Sequence, residues 1–459
     1  MKALTPPVTR RRWGTQLAAG GVAAVLLACD QLPGGGGRSG ASKGCTQPME
    51  LLVPWPDTDP VHAGLKKTID DFVAVHPQCP IQPSVVSPWS AERLTTSIAA
   101  GSPPPLTALM PNTVSNWGPM GLLEPLDELF KGAKLTAADF FPPVWETMSW
   151  HDRVWHVPLQ VDPNFPLFWN KAMLREAGLN PDTPPTTIDE LDLAAQALNR
   201  EVGGRWERIA FAPWLWYGLS NALTTTAYMF GGSFYDKDKD QVTFNHPQVV
   251  KAVEWMAGWS QRLGQERVAE LLGGGSAAAV VAKGKLAFQP LVSVDLPSLK
   301  KVNPSVELGA GLLPAAAPGQ PGAVWTGGWH AGAVPGSRRW EDAWEFLRWI
   351  GTSPDGTLSV AKQMGGLPGY VKSPGLELLA KDPNTAAHVE AIKRSQFLPP
   401  TFYAPVSIDF GPLNEALAGK RPVAATLDEL NEQTQLKLKG LRARQSQQSQ
   451  QSQQSQQKK

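Results

Sequence analysis

Strand-like and helix-like patterns alternate along the first part of the chain, and this alternation restricts the folds that it can adopt. Met49–Val53 is a short apolar strand, and apolar residues then recur at helical spacing over Ala63–Val75. The pattern repeats with a strand at Ile81–Val86, a helix at Ala91–Ala100 and a strand at Leu106–Met110. Such alternation predicts an α/β fold whose sheet is mainly parallel, with helices on both faces. Ligands of such sheets bind beyond the carboxyl ends of the strands.

The composition is that of a globular protein and gives no sign of nucleic-acid binding. The chain has 459 residues, of which 42% are hydrophobic and 18% are charged, so it is long enough for two or three domains. Residues 1–28 hold four cationic and no acidic side chains, so their removal lowers the net charge from +1 to −3. A slightly acidic protein lacks the basic surface that nucleic acid requires, and we expect no nucleic-acid partner.

The N-terminal segment is typical of an export signal rather than of folded structure. A basic patch at Arg10–Arg12 precedes an apolar run that is too short to span a bilayer stably. This run ends in Leu26–Cys29, which resembles the lipobox of bacterial lipoproteins, where the chain is cut before the cysteine and its sulfur is acylated. The resemblance implies a signal peptide over 1–28, a lipid on Cys29 and a flexible, glycine-rich linker over 29–44. A transmembrane anchor and an ordinary signal peptide are the alternatives.

Two further features of the exported chain follow from this interpretation. Thr9–Trp13 resembles a twin-arginine signal, although arginine-rich starts also occur in general secretory signals, so both export routes stay open. With Cys29 acylated, Cys45 and Cys79 are left to form a disulfide in an oxidising compartment. A catalytic thiol is the competing interpretation, and no Cys–His arrangement supports it.

The C-terminal end of the chain has low complexity. Ser-Gln-Gln repeats run from Gln445 to the last residue, and such a segment cannot bury apolar area. We predict that residues 436–459 form a disordered tail.

A longer series of motifs resembles the family 1 extracellular solute-binding proteins of ABC importers, the maltose-binding-protein type. That family has a hairpin ending in Val-Pro, a strand with Tyr-Asn-Lys, a Gly-Leu turn and Pro-Pro-Thr-Thr before a helix. Each segment has an ordinary structural explanation alone, such as a threonine cap followed by an acidic first turn. Together they cover nearly all of residues 49–435. In chain order they are Asp152–Pro158, Leu167–Lys171, Glu176–Leu179, Pro184–Leu191, Met229–Gly232, Gly284–Phe288, Gly327–Trp329, Ala343–Leu347 and Gly366–Pro368.

The resemblance implies a type II periplasmic-binding-protein fold, in which two α/β lobes are joined by a hinge around a central ligand cleft. The expected N-terminal lobe combines residues 45–163 and 305–352, and the C-terminal lobe combines 164–304 and 353–435. The chain is expected to cross between lobes near Val161–Pro166, again near 301–308, and to return near 351–354. Closure of the two lobes on a ligand creates a shape that a transporter can recognise.

The expected ligand chemistry follows from the shape of a sugar ring, which has apolar C–H faces and a rim of hydroxyl groups. Such a ligand requires flat aromatic side chains together with carboxylates and amides. For each residue the alternative is core packing or loop stabilisation. The family's usual aromatic after Gly284–Phe288 is missing, since Leu291–Ser293 stands there, so the substrate stays open. The predicted ligand contacts are Trp55, Asp57, Asp59, Asn112, Asp162, Trp214, Trp216, Asn221, Trp329 and Tyr403.

We therefore expect an extracytoplasmic, lipid-anchored monomer that delivers a sugar, oligosaccharide or related polyol to the transmembrane subunits of an ABC permease. No cofactor or metal is expected, because His151 and His156 do not share a helix face. Gly218–Ala222 lacks the last glycine of a nucleophile elbow, so the sequence does not favour an enzyme. The alternatives are the same fold with another solute, such as glycerol phosphate, a polyamine or iron, and a lipid-anchored polysaccharide hydrolase.

Overall fold

Strands and helices alternate along the protein as the sequence pattern predicts. The structure is a computed structural model that describes residues 47–86, 91–236, 238–274, 277–317, 324–395 and 408–457. The strands in these ranges are β1 (Met49–Val53), β2 (Ile81–Val85), β3 (Leu106–Leu109), β4 (Ser149–Trp150), β5 (Arg153–Val154), β6 (Val157–Asn164), β7 (Leu167–Asn170), β8 (Arg200–Val202), β9 (Arg205–Arg208), β10 (Tyr235–Asp236), β11 (Gln241–Val242), β12 (Phe288–Pro290), β13 (Leu308–Gly311) and β14 (Trp325–Ala333).

The helices of the same ranges vary from a single turn to a long C-terminal helix. They are α1 (Pro60–Val75), α2 (Glu92–Ala99), α3 (Val114–Trp117), α4 (Asp127–Gly132), α5 (Pro142–Met148), α6 (Lys171–Glu176), α7 (Ile188–Leu198), α8 (Leu219–Met229), α9 (Pro247–Leu263), α10 (Gln265–Leu272), α11 (Ala277–Ala282), α12 (Leu296–Val302), α13 (Trp340–Thr352), α14 (Pro354–Ser359), α15 (Pro374–Leu379), α16 (Pro383–Arg394), α17 (Gly411–Leu417) and α18 (Val423–Gln457). Among the described residues, no helix is both long and apolar enough to cross a membrane.

The first of the two main sheets has the strand order β2-β1-β3-β14-β6. Strand β1 is parallel to β2 and β3, whereas β14 is antiparallel to both of its neighbours, β3 and β6. Four of the five strands therefore share one direction, which confirms the mainly parallel sheet predicted from the N-terminal alternation. The second main sheet has the order β12-β7-β13 and is antiparallel, because β7 runs opposite to both neighbours.

Each main sheet has its own hydrophobic core, and we call the two halves the first lobe and the second lobe. In the first lobe, α1 starts at an Asp59 cap and buries Leu65, Ile69 and Phe72, which recur at helical spacing along one face. In the second lobe, α7 starts at a capping box in which Thr187 and Glu190 satisfy each other's backbone N–H groups. The buried face of α7 joins a core that also contains strands β7 and β12.

The lobes divide the sequence differently from our expectation. The chain passes from the first sheet to the second between Asn164 and Leu167, within the expected first crossing. Strand β13, however, pairs with β7 in the second sheet, although 305–352 was assigned to the N-terminal lobe. We expected 353–435 in the C-terminal lobe, yet the apolar side chains of this segment from Val360 to Ile392 pack in the first core. Motif order does not specify strand pairing, and this explains both differences.

The C-terminal helix α18 differs from the predicted tail. We expected 436–459 to be disordered, but the helix continues to Gln457, and Leu438 is fully buried in the second core. Leu427, Leu430 and Leu438 recur on one helical face, and Arg442 pairs with Asp240 at 3.1 Å. These contacts hold the helix against the second lobe well beyond residue 436. Leucines at helical spacing form a buried face there, although most residues of the segment are polar.

Candidate ligand-binding cleft

A cleft of about 500 Å³ lies between the two lobes. The first lobe contributes loops that follow the carboxyl ends of β1 and β3, together with one face of β6 and part of β14. The second lobe contributes the turn before α8, the start of α8 and the segment after β12. A position beyond the carboxyl ends of parallel strands is the expected place for a ligand in this kind of sheet.

Aromatic rings stand on both sides of the cleft. In the first lobe, the rings of Trp55 and Trp329 meet edge to face with centroids 4.8 Å apart. In the second lobe, Phe165 and Tyr217 stack with an interplanar angle of 8° and centroids 4.8 Å apart. The Trp325 ring packs edge-on against Phe165, and its indole N–H donates to Thr225 Oγ1 at 3.1 Å. The cleft therefore has flat apolar surfaces suited to the faces of a ring-shaped ligand.

Strand β6 turns a row of polar side chains towards the cleft. Gln160, Asp162 and Asn164 alternate with apolar residues, so all three lie on one face of the strand, and all three line the cleft. In the described structure, Gln160 Oε1, Asp162 Oδ1 and Asn164 Oδ1 are buried without a hydrogen-bond partner, as is Asn112 Oδ1 in the loop after β3. An unpaired buried polar group is unfavourable by about 1–3 kcal/mol. These four oxygens can each accept a hydrogen bond from a ligand.

Two glycines of β14 bring this strand close to the polar face of β6. The φ angle of Gly328 is 112°, and a Cβ added there would lie 2.4 Å from the Gln160 carbonyl oxygen. A Cβ at Gly327 would lie 2.7 Å from Asn164 Nδ2. A side chain at position 328 would collide with the β6 backbone, and one at 327 would displace the Asn164 amide, so both glycines allow β14 to lie against the polar row.

Among the described residues that line the cleft, Asp162 is the one with a charged side chain, and the Asp295 carboxylate lies near it. Burial, and secondarily the nearby Asp295 carboxylate, raises the pKa of Asp162 to about 7. Burial also raises the pKa of Asp295, and the Asp59 carboxylate adds to the rise, although a hydrogen bond from Tyr217 opposes it. No lysine or arginine is among the described residues that line the cleft.

Tyr217 connects the turn before α8 with the segment after β12. Its hydroxyl donates to Asp295 Oδ2 and accepts from the Val292 backbone N–H at 3.0 Å. Its carbonyl accepts from Asn221 Nδ2 at 2.9 Å. The positive φ angles of Tyr217 and Gly218 turn the chain sharply into α8, so that Ser220, Asn221 and Thr224 on the first turns of the helix line the cleft.

Five of the ten predicted contacts come together at the cleft. Of the other five, four lie away from the cleft lining and are described below, and Tyr403 lies outside the described residues. The five that line the cleft are Trp55, Asn112, Asp162, Asn221 and Trp329.

Trp214 and Trp216 do not reach the cleft, and their prediction as ligand contacts is corrected. Both belong to the core of the second lobe, and Trp216 is fully buried. They lie on either side of the exposed Leu215, in a single turn of 3₁₀ helix and its cap. Both indoles pack inwards in this turn, and the following residue, Tyr217, is the aromatic that faces the cleft.

Asp57 and Asp59 have local structural roles, which was the alternative given for them. The Asp57 side chain is 86% exposed, and its Oδ1 lies 3.0 Å from His62 Nε2. Asp59 Oδ1 accepts a hydrogen bond from the Val61 backbone N–H at 2.8 Å and so caps α1. Neither side chain lines the cleft, although Asp59 lies close enough to Asp295 to influence its pKa.

The sequence interpretation missed several cleft residues. Gln160 and Asn164 could have been found from the polar alternation in an otherwise apolar strand. Phe165, Tyr217 and Trp325 carry no such signal, because their position depends on where the chain passes between lobes. On the second-lobe side they provide the aromatic surface that Leu291–Ser293 lacks.

The remaining predicted sites concern cysteines and metals. The Cys79 thiol is free and buried, and it donates to Asp342 Oδ1 at 3.4 Å. Burial and the Asp342 carboxylate raise the pKa of this thiol to about 11. Cys29 and Cys45 lie outside the described residues, so lipidation and disulfide pairing stay predictions. In the described part of the chain, no cluster of three or more His, Cys, Asp or Glu side chains could hold a metal ion.

Comparison with known proteins identifies the family. Residues 55–356 match the sequence profile of the bacterial extracellular solute-binding proteins, which is more than half of the chain. The protein therefore belongs to this family of extracytoplasmic binding proteins, which are not enzymes. The resemblance drawn from its motifs is confirmed. No curated protein matches the chain.

Solved structures of similar fold cover most of the chain. CpMnBP1 with mannotriose bound aligns with a TM-score of 0.72 and 23% identity, over 85% of this chain and 99% of its own. The sugar-binding protein MalE from Xanthomonas citri aligns with a TM-score of 0.67 and 20% identity, over 86% and 98%. UgpB from Mycobacterium tuberculosis, in complex with glycerophosphocholine, aligns with a TM-score of 0.68 and 20% identity, over 86% and 98%. These similarities confirm the type II periplasmic-binding-protein fold.

Proposed function

We propose that the protein is the substrate-binding lipoprotein of an ABC importer and captures a sugar, an oligosaccharide or a related polyol. The observation that carries this proposal is the set of four buried, unpartnered oxygens between aromatic walls. A sugar offers hydroxyl donors around its rim and apolar C–H groups on its faces, so it can satisfy both features at once. Two proteins of the same fold bind sugars: CpMnBP1 has mannotriose bound, and MalE is a sugar-binding protein.

Transport requires that the bound protein meet a permease. The cleft lies between two lobes that the chain joins at β6–β7, so closing it would bury the ligand and change the shape that the permease contacts. A lipid on Cys29 would hold the monomeric receptor at the membrane surface, and residues 29–44 would give it reach. Both features rest on the lipobox resemblance.

A phosphate-bearing ligand such as glycerol phosphate is less well supported. Anionic ligands are usually held by arginine or lysine. The described lining of the cleft has neither, and its one charged side chain is that of Asp162. A hydrolase would consume its ligand, whereas a binding protein returns it unchanged.

The test is a titration of intrinsic tryptophan fluorescence against neutral sugars, amino sugars, polyols and glycerol phosphate. We expect a saturable change with at least one carbohydrate, at a Kd near micromolar, equivalent to about 8 kcal/mol. The sugar should be recovered intact after incubation. A response to glycerol phosphate alone, or to none of the compounds, would contradict the proposal.

The lipid anchor is tested separately. Cells given a labelled fatty acid should incorporate the label into the wild-type protein and not into Cys29→Ser. Label in both proteins, or in neither, would contradict lipidation at this residue while leaving the ligand proposal intact.

A further inference from the structure

We infer that the carbohydrate bound by this cleft carries a protonated amine, which pairs with Asp162 in the field of the nearby Asp295 carboxylate. This inference rests on the proposed function and narrows its ligand class to amino sugars or their oligomers. It starts from the unequal distribution of charge in the cleft. Asp162 lines the cleft with only 8% of its surface exposed, and its Oδ1 has no partner in the described structure.

Among the described residues that line the cleft, none supplies a positive charge next to Asp162. Asp295 lies close enough to act on Asp162, and Asp59 acts in turn on Asp295. The polar neighbours on β6, Gln160 and Asn164, are uncharged, and Tyr217 donates its one hydroxyl proton to Asp295. The described lining contains no lysine or arginine that could neutralise these carboxylates.

Closure around a neutral sugar would bury this negative charge further. A buried carboxylate without an opposite charge is strongly unfavourable, because the lost hydration is not replaced. The hydroxyl groups of a neutral sugar can donate hydrogen bonds to Asp162 but supply no positive charge, so burial would still favour the protonated acid. An ammonium group on the ligand removes the difficulty, since it provides the missing positive charge at the site.

The other features of the cleft suit the same group. An ammonium has three N–H donors and no acceptor, and the buried unpartnered atoms of the described cleft lining are all oxygens that accept. Aromatic faces also attract cations, and rings of Trp55, Trp329 and Tyr217 line the walls. Carboxylates and aromatic faces around a cleft therefore match an aminated sugar better than a neutral one.

The two ligand classes move protons in opposite directions. Asp162 has a raised pKa near neutrality, so a cation beside it favours the carboxylate and releases a proton on binding. Burial beside a neutral sugar favours the protonated acid and takes a proton up. The direction of proton transfer thus distinguishes the two classes without knowledge of the binding pose.

The experiment uses matched sets of ligands that differ only at carbon 2. Glucose, glucosamine and N-acetylglucosamine form one set, and the corresponding β-1,4-linked disaccharides form another. Calorimetry near neutral pH, in two buffers with different ionisation enthalpies, gives the affinity and the number of protons exchanged. We expect the amine to bind about tenfold or more tightly than its neutral partners, with proton release.

Asp162→Asn tests the assigned partner, and Asp70→Asn is the matched control because Asp70 is exposed on α1 and does not line the cleft. Asp162→Asn should abolish the preference for the amine and the proton release, whereas Asp70→Asn should leave both unchanged. Equal or tighter binding of neutral sugars, or a preference that survives Asp162→Asn, would overturn the inference and leave the proposed function standing. No binding of any sugar in these sets would overturn the inference, whereas the proposed function fails only if no carbohydrate or polyol of the wider fluorescence titration binds.

Discussion

Strand β6 buries both of its faces, but the two faces differ in what they contact. Leu159 and Val161 pack in the core of the first lobe, where each apolar group has neighbours. Gln160, Asp162 and Asn164 face the cleft, where an oxygen of each is buried without a partner in the described structure. One face therefore stabilises the fold, and the other retains hydrogen-bonding capacity that folding does not use. We expect substitutions on the two faces to have opposite consequences.

The largest effect is expected on the core face. Leu159→Ala removes a fully packed side chain and leaves a cavity, so the free energy of unfolding should fall by about 2–5 kcal/mol. Ligand affinity, measured below the unfolding transition, should change little. Chemical denaturation and calorimetric titration of the same preparation check both parts. A large loss of affinity with unchanged stability would break the distinction between the faces.

The next effect is expected on the cleft face, where Asp162→Asn should stabilise the protein to an extent that depends on pH. The pKa of Asp162 is raised to about 7 in the folded protein, above its value of about 4 in an unfolded chain. The folded state therefore binds the proton more tightly, and wild-type stability falls as pH rises between these two values. Asp162→Asn cannot ionise and should not show this part of the fall.

Thermal unfolding of the ligand-free proteins measures this difference. The free energy of unfolding of Asp162→Asn should exceed that of the wild type by about 1–4 kcal/mol near pH 8, and the difference should vanish near pH 4. A variant that is less stable than the wild type near pH 8 would show that Asp162 is compensated in the folded state, contrary to our account.

A smaller effect is expected from removing one unpartnered oxygen. Gln160→Met keeps the side-chain volume but cannot accept a strong hydrogen bond, so affinity should fall by about 1–3 kcal/mol, equivalent to roughly 5–150-fold. Stability should be unchanged or slightly higher, because a buried unpaired group disappears. Gln82→Met, on the exposed part of strand β2, is the matched control. An effect of equal size in both variants would contradict a role for Gln160 in binding.

The smallest effect is spectroscopic and compares an aromatic of the cleft with one of the core. Trp329→Phe should reduce the fluorescence change caused by ligand, because the Trp329 ring lines the cleft. Trp216→Phe should leave the change intact, since Trp216 is enclosed in the second core. Loss of the signal in Trp216→Phe alone would place the ligand elsewhere.

Local patterns in the sequence predict some of this structure well. The strands and helices from Met49 to Leu109 follow apolar periodicity, because each contributes one buried face to the same core. Trp55 and Asn112 were predicted as cleft residues because loops after parallel strands gather at one edge of the sheet. The alternation of polar and apolar residues along β6 would also have found Gln160 and Asn164.

Other features depend on contacts that local patterns do not record. Trp214, Trp216 and Tyr217 lie close together in the same short segment, and only tertiary packing decides which ring faces the cleft. The lobe boundaries were misplaced because strand pairing joins β13 to β7 across more than a hundred residues. The C-terminal helix was missed because a few well-spaced leucines anchor a segment of polar composition.

The most direct test of the central claim is a crystal structure of the protein with the carbohydrate that binds most tightly. We expect the sugar to lie in the cleft between the rings of Trp55, Trp329 and Tyr217. Its donors should lie within hydrogen-bond distance of the side-chain oxygens of Asn112, Gln160, Asp162 and Asn164. A sugar bound outside the cleft, or one that leaves these four oxygens unpartnered, would contradict the account.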